Sequence, residues 1–285
     1  MYEQFYSLRE KPFSLTPDPA YLFMAKRHRH ALTMLEYVLS EASGFALITG
    51  EVGCGKTTVV RHFLDRLDAS LGVAFISNTH PGIGALLPWI LESLGLEAGK
   101  GATSELYRRF VDYLQAQATE GRRTVLVIDE AQNLSVAGLE ELRVLTNLNF
   151  GKTLLLQTIL IGQPELRETL RLQSLRQFAQ RIAIDHHIEA LHLEETRSYV
   201  GHRLRVAGGD PALFTADSLD LIHECTGGVP RLVNIVCDTA LVYGFADQRP
   251  SIELDIIEQV VEDRSAGGLL PLRAKTARRD SRLAS

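Results

Sequence analysis

The run Gly50-Glu51-Val52-Gly53-Cys54-Gly55-Lys56-Thr57 fits G-x-x-x-x-G-K-[ST] and constrains the fold more than any other feature of the chain. It follows a short apolar run at 45–49 and leads into a helical pattern from Lys56 to about residue 68. The motif therefore occupies a strand-to-helix turn. Glycines there admit backbone angles closed to other residues, and the amide groups of the turn can converge on phosphate oxygens. The helix N-terminus adds partial positive charge. Lys56 supplies a point charge for the β- and γ-phosphates, and Thr57 a hydroxyl for Mg²⁺. Gly50, Glu51, Val52, Gly53, Cys54, Gly55, Lys56, Thr57 and Thr58 are thus the expected nucleotide-binding set. Cys54 stands at an open position of the motif and is read as a tolerated small residue rather than a redox switch.

A second signal is the apolar run 125–128, which ends in Asp129-Glu130. Asp129 is placed to hold Mg²⁺ through water, and Glu130 to polarise the attacking water as general base. Its value comes from the pairing with the glycine-rich turn across a strand–helix–helix–strand interval. No [NT]-K-x-D run occurs, so adenine is expected in preference to guanine. ATP and Mg²⁺ are the expected cofactors, with Thr57 and Asp129 on the metal.

Strand patterns at 45–49, 73–77, 124–128, 153–161 and 182–186 are interspersed with helical patterns at 85–94, 104–119 and 136–148. Short, continuously apolar strands between helices imply a parallel sheet covered on both faces. The expected class is α/β, a doubly wound parallel five-stranded sheet. From Leu191 onward only helical patterns remain, at 194–207, 215–225, 230–245 and 254–263, which implies a small all-helical domain. The first 25 residues are rich in aromatics and prolines and read as an extended arm packed on a domain. The expected division is 1–43, arm and first helix packed on the core; 44–190, core; 191–263, helical lid; and 264–285, a basic tail expected to be disordered.

With 285 residues there is material for two domains, and 45% apolar with 23% charged residues is ordinary globular composition. A net charge of -5 excludes a global basic signature for nucleic acid. Cys54, Cys225 and Cys237 lack paired spacing, which argues against a disulfide framework and a zinc site. His28, His30, His62, His186, His187 and His192 lack partners at ligand spacing. The N-terminus has no basic segment followed by an apolar core. The uncharged stretch 69–91 is interrupted by Ser77-Asn78-Thr79-His80-Pro81-Gly82. A cytoplasmic chain with no membrane span is expected.

Together these features resemble the AAA+ ATPases, and among them the general secretion pathway protein A (ExeA-like) family and the exosortase-associated ATPases. The likeness runs from Met1 to about Glu262. It is carried by Lys11-Pro12-Phe13, Thr16-Pro17-Asp18-Pro19, Gly44-Phe45 and Thr49-Gly50-Glu51. It continues in residues 160–166 (Leu-Ile-Gly-Gln-Pro-Glu-Leu), Gln180-Arg181-Ile182 and Gly227-Gly228-Val229-Pro230-Arg231, and in 191–209 with Tyr199 and His202-Arg203-Leu204. The resemblance implies that Gln163 is a sensor touching the γ-phosphate or the water. It implies that Arg181 is an arginine finger acting in trans, with Arg176 as its rival, and that Arg231 is a lid arginine contacting the phosphates. Asn78 would restrain the catalytic glutamate, and the 17–21 segment would border the adenine. The plain alternatives are a surface ion pair for Arg181, a turn for Gln163 and a chain cap for Arg231.

The longer secretion proteins continue into a membrane segment and a peptidoglycan-binding domain. This sequence shows neither up to Ser285, so a separate membrane-protein partner is expected, together with ATP-dependent homo-oligomers. The expected role is ATP hydrolysis that drives or switches assembly of an envelope, secretion or exopolysaccharide-export apparatus. The second reading is a DNA-binding regulatory ATPase of the Mu B/TniB transposition type, with phosphate contacts from the basic tail.

Overall fold

The computed structural model describes residues 1–16, 18–40, 44–67, 71–77, 79, 85–97, 102–150, 153–267 and 272. The chain forms two compact units. One is Lys26–Glu189; the other combines Met1–Ala25 with Ala190–Ser285.

The first unit runs α1 (Lys26–Ser40), β1 (Phe45–Gly50), α2 (Lys56–Leu64), β2 (Leu71–Ile76), α3 (Leu86–Ser93), α4 (Thr103–Thr119) and β3 (Arg123–Ile128). It continues with α5 (Val136–Leu145), β4 (Asn149–Phe150), β5 (Thr153–Leu154), β6 (Leu156–Gly162), α6 (Pro164–Leu170), α7 (Arg176–Ala179) and β7 (Ile182–Ile188). The main sheet is five-stranded in the order β2-β3-β6-β1-β7, with every pairing parallel. Strands β1 and β6 are buried at every position, and β3 at all but Arg123. Helices cover both faces of such strands, so their sequences read as unbroken apolar runs. The amphipathic spacing of Leu106, Phe110 and Leu114 lays α4 on this core. The connections leaving neighbouring strands β1 and β6 run to opposite sides of the sheet, and open α/β sheets bind ligands beyond the strand C-termini at such a point.

Two details differ from the sequence reading. The run 153–161 is not one strand: Thr153 and Leu154 turn back on Phe150 and Asn149 as an antiparallel pair, and β6 starts at Leu156. The short helices α6 and α7 were not expected, because four to seven residues carry too little periodicity to register.

The second unit contains α8 (Leu193–Val206), α9 (Ala216–Thr226), α10 (Pro230–Ala246) and α11 (Leu254–Ala266). Thr215 caps α9 through its side chain, and Phe214 pairs with Ile252 in a single bridge. Gly228 is required by close approach. Its φ is +73°, and a Cβ there would lie 2.0 Å from the Leu191 carbonyl oxygen.

The expected segment 1–43 divides at Ala25/Lys26. Helix α1 belongs with the sheet unit, whereas the arm belongs with the helical unit and not with the sheet. Tyr2, Tyr6, Leu8, Phe13, Tyr21 and Ala25 share one apolar cluster with α8–α11. Apolar contact alone does not fix the arm. Buried Arg203 donates through Nε to the Pro12 carbonyl and through Nη2 to that of Ser14 (3.2 Å), and its guanidinium stacks 4.7 Å from the Tyr21 ring. Main-chain carbonyls that leave water need such donors. Tyr21, expected to border adenine, is buried in this cluster with its hydroxyl donating to Glu10 at 2.8 Å. Pro17 and Asn78 lie outside the described residues, as do 268–271 and 273–285 of the expected tail.

Arg203→Ala is expected to cost about 2–3 kcal/mol, since it strands two carbonyls and removes a charge-assisted donor. Thermal unfolding checks the loss, and trypsin should then cut after Arg9 under conditions in which the parent resists.

Candidate nucleotide site

The site is built where β1, β3 and β6 end. The loop from Gly50 to Gly55 closes tightly because Gly50 lies against β7: a Cβ there would sit 2.5 Å from the Ile188 carbonyl oxygen. Gly53 and Gly55 have φ of +83° and +88°, a region that L side chains rarely adopt, and Gly55 caps α2. Glu51 and Val52 form the exposed tip, Cys54 is buried, and Thr57 and Thr58 are half-buried in the first turn of α2. Behind the loop stands His28 of α1, buried, with Nε2 3.0 Å from the Cys54 carbonyl oxygen. Its ring fills the space beside Gly55, so His28 supports the loop from the side away from solvent.

Lys56 is buried and donates from Nζ to the Gly50 and Glu51 carbonyls, at 2.7 and 2.9 Å. Burial lowers its pKa from the ordinary lysine value, against the opposing pull of nearby Glu130 and Asp129. Thr57 donates from Oγ1 to Asp129 Oδ2 at 2.8 Å, joining α2 to the end of β3. Asp129 is buried. Desolvation raises its pKa, and hydrogen bonds from Thr57 and the Glu130 amide act the other way. The half-buried hydroxyl and the buried carboxylate form a hard oxygen donor pair, which suits Mg²⁺.

Glu130 turns the chain sharply, with φ +53°. Its Oε2 accepts from Gln132 Nε2 at 2.6 Å and from Gln163 Nε2 at 3.3 Å. The Gln163 amide in turn donates to Gln132 Oε1 at 3.1 Å. The one hydroxyl proton of Thr79 is shared between the carbonyls of Asp129 and Glu130, and Asn133 donates to the Thr79 carbonyl at 2.9 Å. The loops after β2, β3 and β6 are thus laced together by side-chain bonds.

The structure therefore brings together Lys56, Thr57, Asp129, Glu130 and Gln163. Arg181 is engaged elsewhere. Its Nη1 donates to the Arg143 carbonyl (2.8 Å) and its Nη2 to that of Thr146 (3.0 Å), while the guanidinium stacks on Phe45 at 5.3 Å. This caps the C-terminus of α5, where helix carbonyls lack intrahelical partners. Arg181 thus acts as a cap of α5 within this chain. Arg176 is exposed at the start of α7. Arg231 is exposed in the first turn of α10, within the helical unit. Sequence reasoning missed His28 and Gln132. His28 had a legible signal, since it shares a helix face with Leu32 and Leu35. Gln132 had none beyond standing two residues after Glu130.

A model of the AAA domain matches residues 39–170. General secretion pathway protein A of Aeromonas hydrophila is 44% identical over 247 residues, which is 86% of this chain and 45% of that protein. The chain has the fold of the AAA+ P-loop proteins, with its AAA-domain match at residues 39–170. Among them it resembles general secretion pathway protein A, and it spans about half the length of that relative. The Aeropyrum pernix ORC2 protein, solved as ADPNP–ADP complexes, superposes with a TM-score of 0.66 at 17% identity, covering 90% of this chain and 72% of its own. Cdc6p of Pyrobaculum aerophilum gives 0.65 at 16% identity, with 88% and 70% covered. The RuvB motor of Thermotoga maritima gives 0.54 at 17%, with 86% and 73% covered. These structural likenesses concern the fold.

Burial of Asp129 gives a signed expectation for pH. Its folded pKa lies above the unfolded value, so the folded state holds the proton more tightly, and this contribution to stability falls as pH rises through the folded pKa. Asp129→Asn is therefore expected to raise the melting temperature of the nucleotide-free protein at pH 7–8, with the gain shrinking toward acid pH. Calorimetry in Mg²⁺-free buffer across pH checks it; a loss of stability at neutral pH would refute it.

Proposed function

We propose that this AAA+ chain hydrolyses ATP to ADP and phosphate and uses the cycle to switch the assembly of an envelope or secretion apparatus. The observation that carries the chemistry is Glu130, a carboxylate fixed one residue beyond the Asp129 that is hydrogen-bonded to Thr57 of the phosphate loop. The loop amides and Lys56 would bind the phosphates. Thr57 and Asp129 would hold Mg²⁺, which supplies charge neutralisation for the developing phosphate oxygens. Glu130 would orient the attacking water and take its proton, and Gln163 would sense the γ-phosphate. Arg231 is assigned to report nucleotide state from the helical unit. The secretion context rests on the 44% identity to general secretion pathway protein A. A membrane-protein partner and a cytoplasmic location belong to the same proposal; among the described residues no helix is long and apolar enough to cross a membrane.

Lys56→Ala is expected to weaken ATP binding at least tenfold, and Glu130→Gln to retain binding while lowering kcat at least a hundredfold. Steady-state phosphate release with parallel equilibrium binding checks both. Wild-type protein that neither binds nor cleaves Mg-ATP at any protein concentration would end this reading.

Homo-oligomers are expected with ATP, and the trans arginine is assigned to Arg176, since Arg181 already caps α5. Arg176→Ala should abolish the rise of specific activity with protein concentration while leaving the melting temperature unchanged. Arg181→Ala should lower the melting temperature, as it uncaps a helix. The reverse pattern would return the trans role to Arg181.

A further inference from the structure

We propose that Gln132 is a positioning residue that couples the sensor Gln163 to the general base Glu130; the inference rests on the ATPase reading above and deepens it. The amide of Gln132 is engaged at both ends. Its Oε1 accepts the main-chain N–H of Gln163 at 3.1 Å, and its Nε2 donates to Glu130 Oε2 at 2.6 Å. An amide nitrogen cannot accept, so the Gln163 N–H fixes which way the Gln132 side chain faces and thereby presents its donor to Glu130. Space enforces the same arrangement. A Cβ at Gly162 would lie 3.2 Å from Gln132 Oε1 and 2.7 Å from Leu166 Cδ2, so glycine at the end of β6 lets the amide close on the strand. The Gln163 side chain reaches the same carboxylate oxygen at 3.3 Å.

Both donors fall on one oxygen of Glu130, which pins the carboxylate plane and directs its other oxygen to the reacting water. Movement of the β6 end when Gln163 meets a γ-phosphate would reach the base through Gln132 as well as through the Gln163 side chain itself. The connection needs no movement of the phosphate loop, so its loss should show in turnover and not in binding.

The test replaces Gln132 by Met, which keeps length and bulk and removes donor and acceptor, with Gln132→Ala as a second variant. In the Met variant kcat is expected to fall about 10- to 100-fold, the scale of a misplaced catalytic group. The Kd of a fluorescent ATP analogue should move less than threefold. Combining it with Gln163→Met should lower kcat no further than about threefold beyond the worse single variant, because both act on one carboxylate oxygen. In nucleotide-free protein, hydrogen exchange at the Gln163 amide should accelerate while the amides of β1 keep their protection. Unchanged kcat in both single variants, equal losses in kcat and binding, multiplicative effects in the double variant, or unchanged exchange at Gln163 would each overturn the proposal. Inert wild-type protein would instead count against ATP hydrolysis itself, and the exchange measurement would still decide whether Gln132 holds the β6 end.

Discussion

A single hydrogen bond, 2.8 Å from Thr57 to Asp129, ties the phosphate loop to the acidic strand. The two elements are not neighbours in the sheet, because β6 lies between β1 and β3. The bond therefore joins elements whose strands lie two inter-strand steps apart, about 10 Å of sheet. It does so where wholly buried strands give out and polar groups can first meet solvent. Inside the sheet a charge would be ruinously desolvated, so the chemistry has no other place to stand. Lys56 and Asp129 mark that boundary: both are buried, and burial disfavours the charged form of each. A bound Mg-nucleotide would supply an opposite charge to both, which is how binding and stability become one quantity.

Much of this was legible in the sequence, because its causes are local. The glycines at 53 and 55 announce positive φ, and the apolar runs at 45–49 and 124–128 announce strands buried on both faces. The ends of those strands place Lys56, Thr57, Asp129 and Glu130. What stayed hidden depends on groups far apart in the chain. Gln132 acquires meaning only when Gln163 arrives 31 residues later. Arg181 was read through its family position, whereas its contacts are the end of α5 and the face of Phe45. His28 was weighed only as a metal ligand; its helix face signals burial, but the carbonyl that meets its ring stands 26 residues on.

The arm teaches a related lesson. Tyr6, Phe13 and Tyr21 of the arm are buried while Phe5 stays exposed, yet the cost of exposure alone does not say which surface receives them. The receiving surface is the cluster around α8–α11, and Arg203 makes the choice specific by satisfying main-chain carbonyls that the apolar contacts would leave bare.

The same arrangement makes the helical unit discontinuous: it is assembled from both ends of the described chain, and the sheet unit is an uninterrupted insertion within it. Two peptide links, at 25/26 and 189/190, join the units instead of one. Closing the helical unit therefore requires two segments separated by the whole sheet unit to meet, a pairing of high sequence separation whose loop-closure cost falls early in folding.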